Sequence, residues 1–220
     1  MSVWAIVAAA GRGDRLGLDR PKAFAALRGR PLLAESLERL DATDWIDAIV
    51  VAAPEGWEEP AVLLAEELGC GKVSSSVTGG STRAESVRLA LAEVPEDAAV
   101  VLVHDAARPL VTEEVVARVL VPLGERWDGA VPGLPLADTV KRVRGEAVVE
   151  TVPRDDLVSV QTPQAFVAPV LRRAAAGGED ASDCAALVER VGGRVKVVPG
   201  DPRLLKVTEP ADLELVASWL

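Results

Sequence analysis

The sequence predicts a mainly parallel α/β fold, a Rossmann-like three-layer sheet from which a β-hairpin arm protrudes. Three observations predict it. Short continuous apolar runs rich in Val and Ile recur at Val3–Ala8, Ala48–Ala53 and Ala98–Val103, the pattern of strands buried on both faces. Amphipathic segments separate these runs, which is the alternation of right-handed βαβ units. From about residue 136 the alternation gives way to strand, tight turn, strand. The 220 residues suffice for one domain with a sizeable core. The expectation is a single domain over 1–220, with an arm inserted at about 136–155 that embraces a second copy of the chain. A two-stranded ribbon is marginal alone and needs a surface to pack on; packing back on its own domain is the other reading.

Taken in order, the first run is Val3-Trp4-Ala5-Ile6-Val7-Ala8-Ala9-Ala10. It stops at Gly11-Arg12-Gly13-Asp14-Arg15, where residues without Cβ let the backbone reach a ligand or take positive φ. Pro31 suits a first helical turn, and Leu32, Leu33, Ser36, Leu37 and Leu40 fall on one helical stripe. The second strand ends at Pro54. A helix follows over 58–68, with Val62, Leu63 and Leu64 as its apolar residues and Gly69 as its stop. A short strand near Val73–Val77 leads into Thr78-Gly79-Gly80, and Thr82 with Glu85 forms a capping box for a helix that buries Val87, Leu91 and Val94. The third long run ends in His104-Asp105-Ala106-Ala107-Arg108-Pro109, after which Thr112 caps a helix. The arm is read from Thr139–Val143, Arg144-Gly145 and Glu146–Val152. Helices around 168–176 and 182–191, a strand at Val195–Val198 and a helix from Pro210 close the chain.

Charge narrows the function. The chain carries a formal −10, yet the stretch from Arg12 to Arg30 holds six cations (Arg12, Arg15, Arg20, Lys22, Arg28, Arg30) against Asp14 and Asp19. A local basic spot on an acidic protein suits a small anion and not a nucleic-acid track. No apolar run is long enough for a membrane span, and no signal peptide is recognisable. Cys70 and Cys184 are far apart, and with one histidine they build no Cys/His zinc site; a reducing cytoplasm is the expected setting.

Ligands of open α/β sheets sit beyond the carboxyl ends of the strands. Three polar clusters follow strand ends, at Gly11–Arg15, Gly79–Arg83 and Asp105–Arg108, and should converge. Gly11-x-Gly13 lacks the third glycine of a dinucleotide fingerprint, since Leu16 stands there, and no acid ends the second strand. Bare N–H groups with Arg12, Arg15 and Lys22 suit a triphosphate better. Asp105 can hold a substrate hydroxyl, reach a divalent metal or pair locally with Arg108. His104, the lone histidine, reads as a hydrogen-bonded structural group. Ser86 lies one turn into its helix, within reach of a ligand. Lys206 is either a snorkelling surface residue or a phosphate contact.

Together these motifs carry a resemblance. Ala9-Ala10-Gly11-x-Gly13-x-Arg15 with Pro21-Lys22 is similar to the signature of sugar-phosphate nucleotidyltransferases. Gly79-Gly80-x-x-Arg83-x-x-Ser86-Val87, Val103-His104-Asp105-Ala106-Ala107-Arg108-Pro109, Asp138-Thr139-Val140-Lys141, Thr162-Pro163-Gln164 and Lys206-Val207-Thr208 follow in the order of the 2-C-methyl-D-erythritol 4-phosphate cytidylyltransferase family. The resemblance spans nearly the whole chain. It departs at Ala23, Leu204 and Cys184, where that family often has Gln, Asn and an acid.

The resemblance implies one nucleotidyltransferase domain that transfers CMP from CTP to 2-C-methyl-D-erythritol 4-phosphate with Mg²⁺, releasing pyrophosphate in non-mevalonate isoprenoid synthesis. Arg15 and Lys22 would take the transition-state role, with Arg154 and Lys206 among the catalytic cations. Ala9, Ala10, Gly11, Gly13, Gly80, Arg83 and Ser86 would hold the nucleotide. Asp105, Arg108 and Thr139 would join Arg154 and Lys206 around the methylerythritol phosphate. Thr139 and Arg154, on the arm, would come from the other subunit of a homodimer. No protein metal ligand is assigned beyond Asp105. A cytidylyltransferase for another polyol phosphate, such as ribitol 5-phosphate, and a non-catalytic nucleotide-binding regulator are the alternatives.

Overall fold

Three parallel strands of small and β-branched residues form the centre of the sheet: β1 (Val3–Ala8), β4 (Ala48–Ala53) and β6 (Val100–Asp105). The computed structural model describes residues 2–124 and 126–220. In chain order the other strands are β2 (Ala26–Leu27), β3 (Arg30–Pro31), β5 (Val73–Thr78), β7 (Gly129–Pro135), β8 (Val140–Arg144), β9 (Ala147–Val152), β10 (Val158–Val160), β11 (Gln164–Val167) and β12 (Val195–Pro199). The helices are α1 (Leu32–Asp41), α2 (Glu58–Glu67), α3 (Arg83–Leu91), α4 (Glu113–Leu120), α5 (Ala168–Ala175), α6 (Cys184–Arg190) and α7 (Pro210–Ser218). Among the described residues, one mixed sheet of eight strands runs β5-β4-β1-β6-β11-β7, with β10 and β12 also paired to β7. The β5-β4-β1-β6 half is parallel, while β11 runs antiparallel to β6 and β7.

Alternation along each strand supplies both layers. Ala5, Val7, Ile49, Val51, Val100 and Leu102 face one apolar cluster, covered by α1, α2 and α4. Ile6, Val50, Ala52, Val101 and Val103 face the other, covered by α3, α5 and α6. This period of two, with apolar residues on both faces, produces the continuous hydrophobic runs in the sequence. The α1 stripe is buried as its spacing predicts, and Ser36 within it hydrogen-bonds the Ala106 carbonyl just beyond β6.

Some details differ from the sequence reading. In α2 the fully buried residues are Ala61 and Ala65, Leu64 packs partly buried against the same core, and Leu63 is 54% exposed. Thr112 stands at the start of α4 without a side-chain capping bond. Glu85 completes only half of the capping box: its N–H donates to Thr82 Oγ1, but its carboxylate accepts from Ser81. The arm forms as expected. The β8–β9 ribbon is a separate two-stranded sheet turning at Gly145, φ +60°, and Val143, Val148 and Val149 along it are at least half exposed.

Candidate active site

The parallel register brings the carboxyl ends of the central strands level. Ala8 of β1 lies opposite Ala52 on one side and Asp105 on the other, and Ala53 lies opposite Thr78. The three polar clusters therefore meet, around a cleft of about 540 Å³, a size suited to a small ligand. Its lining includes Ala9, Ala10, Gly11, Arg12, Gly13, Arg15, Lys22, Gly80, Arg83, Ser86, Asp105 and Lys206.

One wall is the glycine turn. Gly13 adopts φ +77°, and a Cβ there would stand 2.7 Å from the Lys22 Cβ, so glycine is needed for both conformation and clearance. Gly11 has ordinary φ and faces open space; its value is room for a ligand, not positive φ. Lys22 N–H donates to the Gly11 carbonyl at 3.3 Å, folding the cationic segment back over the turn. Ala9 N–H is occupied by the Ala52 carbonyl, whereas those of Ala10, Gly11, Arg12 and Gly13 find no acceptor among the described residues. Such a run of unpaired donors is an anion cradle.

The opposite wall is the turn before α3. Gly79 N–H donates to the Ala53 carbonyl at 2.7 Å. A Cβ on Gly79 would meet the Ala10 Cβ at 2.2 Å, so the Gly79 backbone packs directly against the Ala10 side chain. Ser86, almost fully buried, holds this turn: its Oγ accepts the Gly80 N–H at 3.0 Å and donates to the Thr82 carbonyl at 2.8 Å. Its hydroxyl shapes the wall, and the Gly80 N–H is already engaged.

Asp105 forms the floor, and its partners differ from the local one considered from sequence. Arg83 Nε lies 2.8 Å from Oδ1 and Lys206 Nζ lies 2.7 Å from Oδ2. Arg108 instead turns away and donates to the Leu204 carbonyl at 2.5 Å; it is absent from the lining. Burial opposes ionisation of Asp105, but the charges and hydrogen bonds of Arg83 and Lys206 prevail and hold its carboxyl well below the usual range. Lys22, half buried, is pushed down to about 8, first by burial and then by the charges of Lys206 and Arg15, against Asp105 and Asp212. Arg83 also reaches Cys184 Sγ at 3.5 Å, which explains how a thiol is accommodated there.

His104 is a buried, hydrogen-bonded group. Fully buried, it is held down to about 4 by desolvation and so stays neutral. Nε2 lies 3.1 Å from the Arg108 carbonyl and Nδ1 lies 3.2 Å from Thr162 Oγ1, which accepts the Asp105 N–H at 3.0 Å. A proton on Nε2 satisfies every member of this chain. Thr139 and Arg154 lie outside the cleft. Both are exposed, and Arg154 donates to the Ala137 carbonyl within the arm.

The described residues contain no group of three or more His, Cys, Asp or Glu side chains placed to hold a metal ion. Both oxygens of Asp105 are on cations, Arg83 and Lys206. The sequence reading missed Ser81, Thr82 and Thr208 in the lining; Thr82 was visible only as a helix cap and Thr208 only as part of a motif.

A mainly parallel sheet that presents a glycine turn and several cations to one cleft suits a nucleoside phosphate. Comparison with known proteins gives the family. Residues 3–220 match the family described as IspD, 2-C-methyl-D-erythritol 4-phosphate cytidylyltransferase. The enzyme of that description from Saccharopolyspora erythraea is 48% identical over 225 residues, covering 100% of each chain. That of Acidobacterium capsulatum is 40% identical over 234 residues, covering 100% of this chain and 98% of its own. The crystal structure of the Thermus thermophilus enzyme aligns with a TM-score of 0.79 at 37% identity, covering 100% of this chain and 98% of that one. The chain belongs to the IspD family: it is a cytidylyltransferase of isoprenoid precursor synthesis that forms the cytidine diphosphate derivative of methylerythritol.

Proposed function

We propose that the cleft binds CTP with its triphosphate along the Ala10–Gly13 N–H groups and its nucleoside toward the Gly79–Ser86 wall. The single observation that carries this reading is the run of unpaired N–H donors at Ala10–Gly13 in a cleft also lined by Arg15, Lys22 and Lys206. A phosphate oxygen of 2-C-methyl-D-erythritol 4-phosphate attacks the α-phosphorus in line, the bond to the bridging oxygen breaks, and pyrophosphate leaves with that electron pair. A phosphate monoester dianion is already nucleophilic, so no general base is required. Arg15 and Lys22 stabilise the charge that develops on the equatorial oxygens, and the walls hold the reactants in line.

Magnesium fits this site as part of the substrate. A cationic cleft with one engaged carboxylate suits the metal–triphosphate complex, in which the ion neutralises charge on the leaving group.

The methylerythritol phosphate is assigned to the Asp105–Lys206 end of the cleft. Arg108 stands behind it, bracing the Lys206 segment. Thr139 and Arg154 are proposed to act from a second copy: the arm's exposed valines leave it a ribbon lacking a packing surface, and a homodimer would supply one. In this reading residues 1–220 act as one domain with the arm as its dimerisation element. A cytoplasmic location belongs to the same reading. Both cysteines are free thiols, and no described helix is long and apolar enough to cross a membrane.

The reading is tested by pyrophosphate release with CTP and a panel of polyol phosphates. Release with the methylerythritol phosphate well above that with ribitol 5-phosphate supports it. Equal release with both, or none with either, contradicts it.

A further inference from the structure

The Asp105–Lys206 ion pair joins the end of β6 to a segment far along the chain, and both sides of it are tied to one short link, residues 161–163, between β10 and β11. Thr162 takes the Asp105 side: its Oγ1 accepts the Asp105 N–H at 3.0 Å. Gln161 takes the Lys206 side. Its side-chain amide pairs with both backbone groups of Asp201: Nε2 donates to the Asp201 carbonyl at 2.8 Å, and Oε1 accepts the Asp201 N–H at 3.0 Å. A side chain thus supplies the paired donor and acceptor that a neighbouring strand would give, to a residue that lies outside any strand.

The clamp is tightly seated. Gln161 is buried, and its own N–H donates to the Pro132 carbonyl of β7 at 2.8 Å. A Cβ on Gly200 would stand 2.5 Å from Gln161 Oε1 and 3.1 Å from the Gly133 carbonyl oxygen, so only glycine before Asp201 lets the amide approach. From Asp201 the hydrogen bonds continue toward Lys206. The Asp201 carbonyl also accepts the Leu204 N–H at 2.9 Å, the Leu204 carbonyl accepts from Arg108 at 2.5 Å, and Val207 N–H donates to the Ala107 carbonyl at 2.8 Å. Leu204 and Val207, on either side of Lys206 in sequence, are fully buried. Lys206 lines the cleft and Gln161 does not, so Gln161 acts on the reactants through the segment it holds.

We propose that Gln161 is a positioning residue for cytidylyl transfer: by clamping the Asp201 backbone it sets where the 201–206 segment presents Lys206 at the methylerythritol phosphate end of the cleft. The role rests on the assignment of Lys206 to that end. A buried amide that served stability alone would affect both substrates alike, and its loss would add to that of Lys206. One with this role affects the methylerythritol phosphate selectively and only while Lys206 is present.

Gln161→Met keeps the length of the side chain and removes both hydrogen bonds. In the folded variant, judged by near-ultraviolet circular dichroism, kcat/KM for the methylerythritol phosphate should fall by roughly ten- to a hundredfold, the range reached when a reacting group is misplaced by up to about 1 Å. KM for CTP should stay unchanged. Lys206→Met should show the same selectivity, and adding Gln161→Met to it should cost nothing further, because residues that act through one another are not additive. Should Gln161→Met fail to fold, Gln161→Glu, which keeps an acceptor for the Asp201 N–H and loses the donor to its carbonyl, is read in the same way. Unchanged kcat/KM in the folded variant, an equal loss toward both substrates, or a full additional loss on top of Lys206→Met overturns the role of Gln161 alone. Undiminished kcat/KM for the methylerythritol phosphate in Lys206→Met overturns the assignment of Lys206 and, with it, this proposal.

Discussion

Lys206 reaches across 101 positions of sequence to place its Nζ 2.7 Å from Oδ2 of Asp105. Arg83 takes the other oxygen, so the carboxylate at the end of β6 holds two cations of different segments at fixed positions in the cleft. Removing one member of a buried ionic cluster leaves the others uncompensated. Because Lys206 is 40% exposed, Asp105→Asn is expected to cost only about 2 kcal/mol, below the range for fully buried pairs. Turnover should fall as well, since both cations lose their anchor.

The acid response follows from two groups. Asp105 is held below its unfolded value, so its contribution is complete above the usual carboxylate range and disappears as pH falls beneath it. His104, at about 4 in the folded chain against 6.5 unfolded, must stay neutral. Its contribution is complete above 6.5 and is lost on acidification through that window. Urea midpoints should therefore decline between about pH 7 and pH 4, and His104→Gln should flatten the decline. An unchanged slope in that variant contradicts the account of His104.

Much of this was legible in the sequence. The strands β1, β4 and β6 announce themselves because burial on both faces demands unbroken apolar runs, and the three polar clusters are legible because such strands deliver their carboxyl ends to one place. β7 was not. Its sequence Gly129-Ala130-Val131-Pro132-Gly133-Leu134-Pro135 contains the residues that ordinarily break strands, and only its three partner strands hold it extended. The pairing of Asp105 was also hidden: Arg108, three residues away, is the obvious partner locally, whereas Arg83 and Lys206 arrive only through the tertiary fold. Ser86 lines the cleft, but its hydroxyl bonds the Gly80 turn, a relationship that composition and spacing do not encode.

Gly79→Ala tests the contact between the two walls. The added Cβ would overlap the Ala10 Cβ and crowd Ser86 Oγ and the Ala53 carbonyl, forcing the loops apart. Overpacking of this kind costs about 1–3 kcal/mol, and the KM for CTP should rise more than kcat falls. Gly11→Ala, which meets open space, should cost little stability and is the paired control, read by thermal melting.

Replacing either cation over the glycine turn should be severe. Lys22→Ala and Arg15→Ala are each expected to lower kcat by roughly 10²-fold or more, the scale of removing one preorganised stabilising donor. Unchanged turnover in both variants would remove them from the mechanism.

The proposed second copy is testable by complementation. Lys22→Ala and Arg154→Ala homodimers should each be nearly inactive. Heterodimers of the two contain one site with both residues intact and should regain activity. Verified heterodimers without recovery would place Arg154 outside the partner's site.

The most direct measurement is a crystal structure with CTP and magnesium. The account predicts the triphosphate against the N–H groups of Ala10–Gly13, with Arg15 and Lys22 on its oxygens and the nucleoside toward Gly80 and Ser86. Nucleotide bound away from the glycine turn, in a crystal that leaves the cleft accessible, would contradict it.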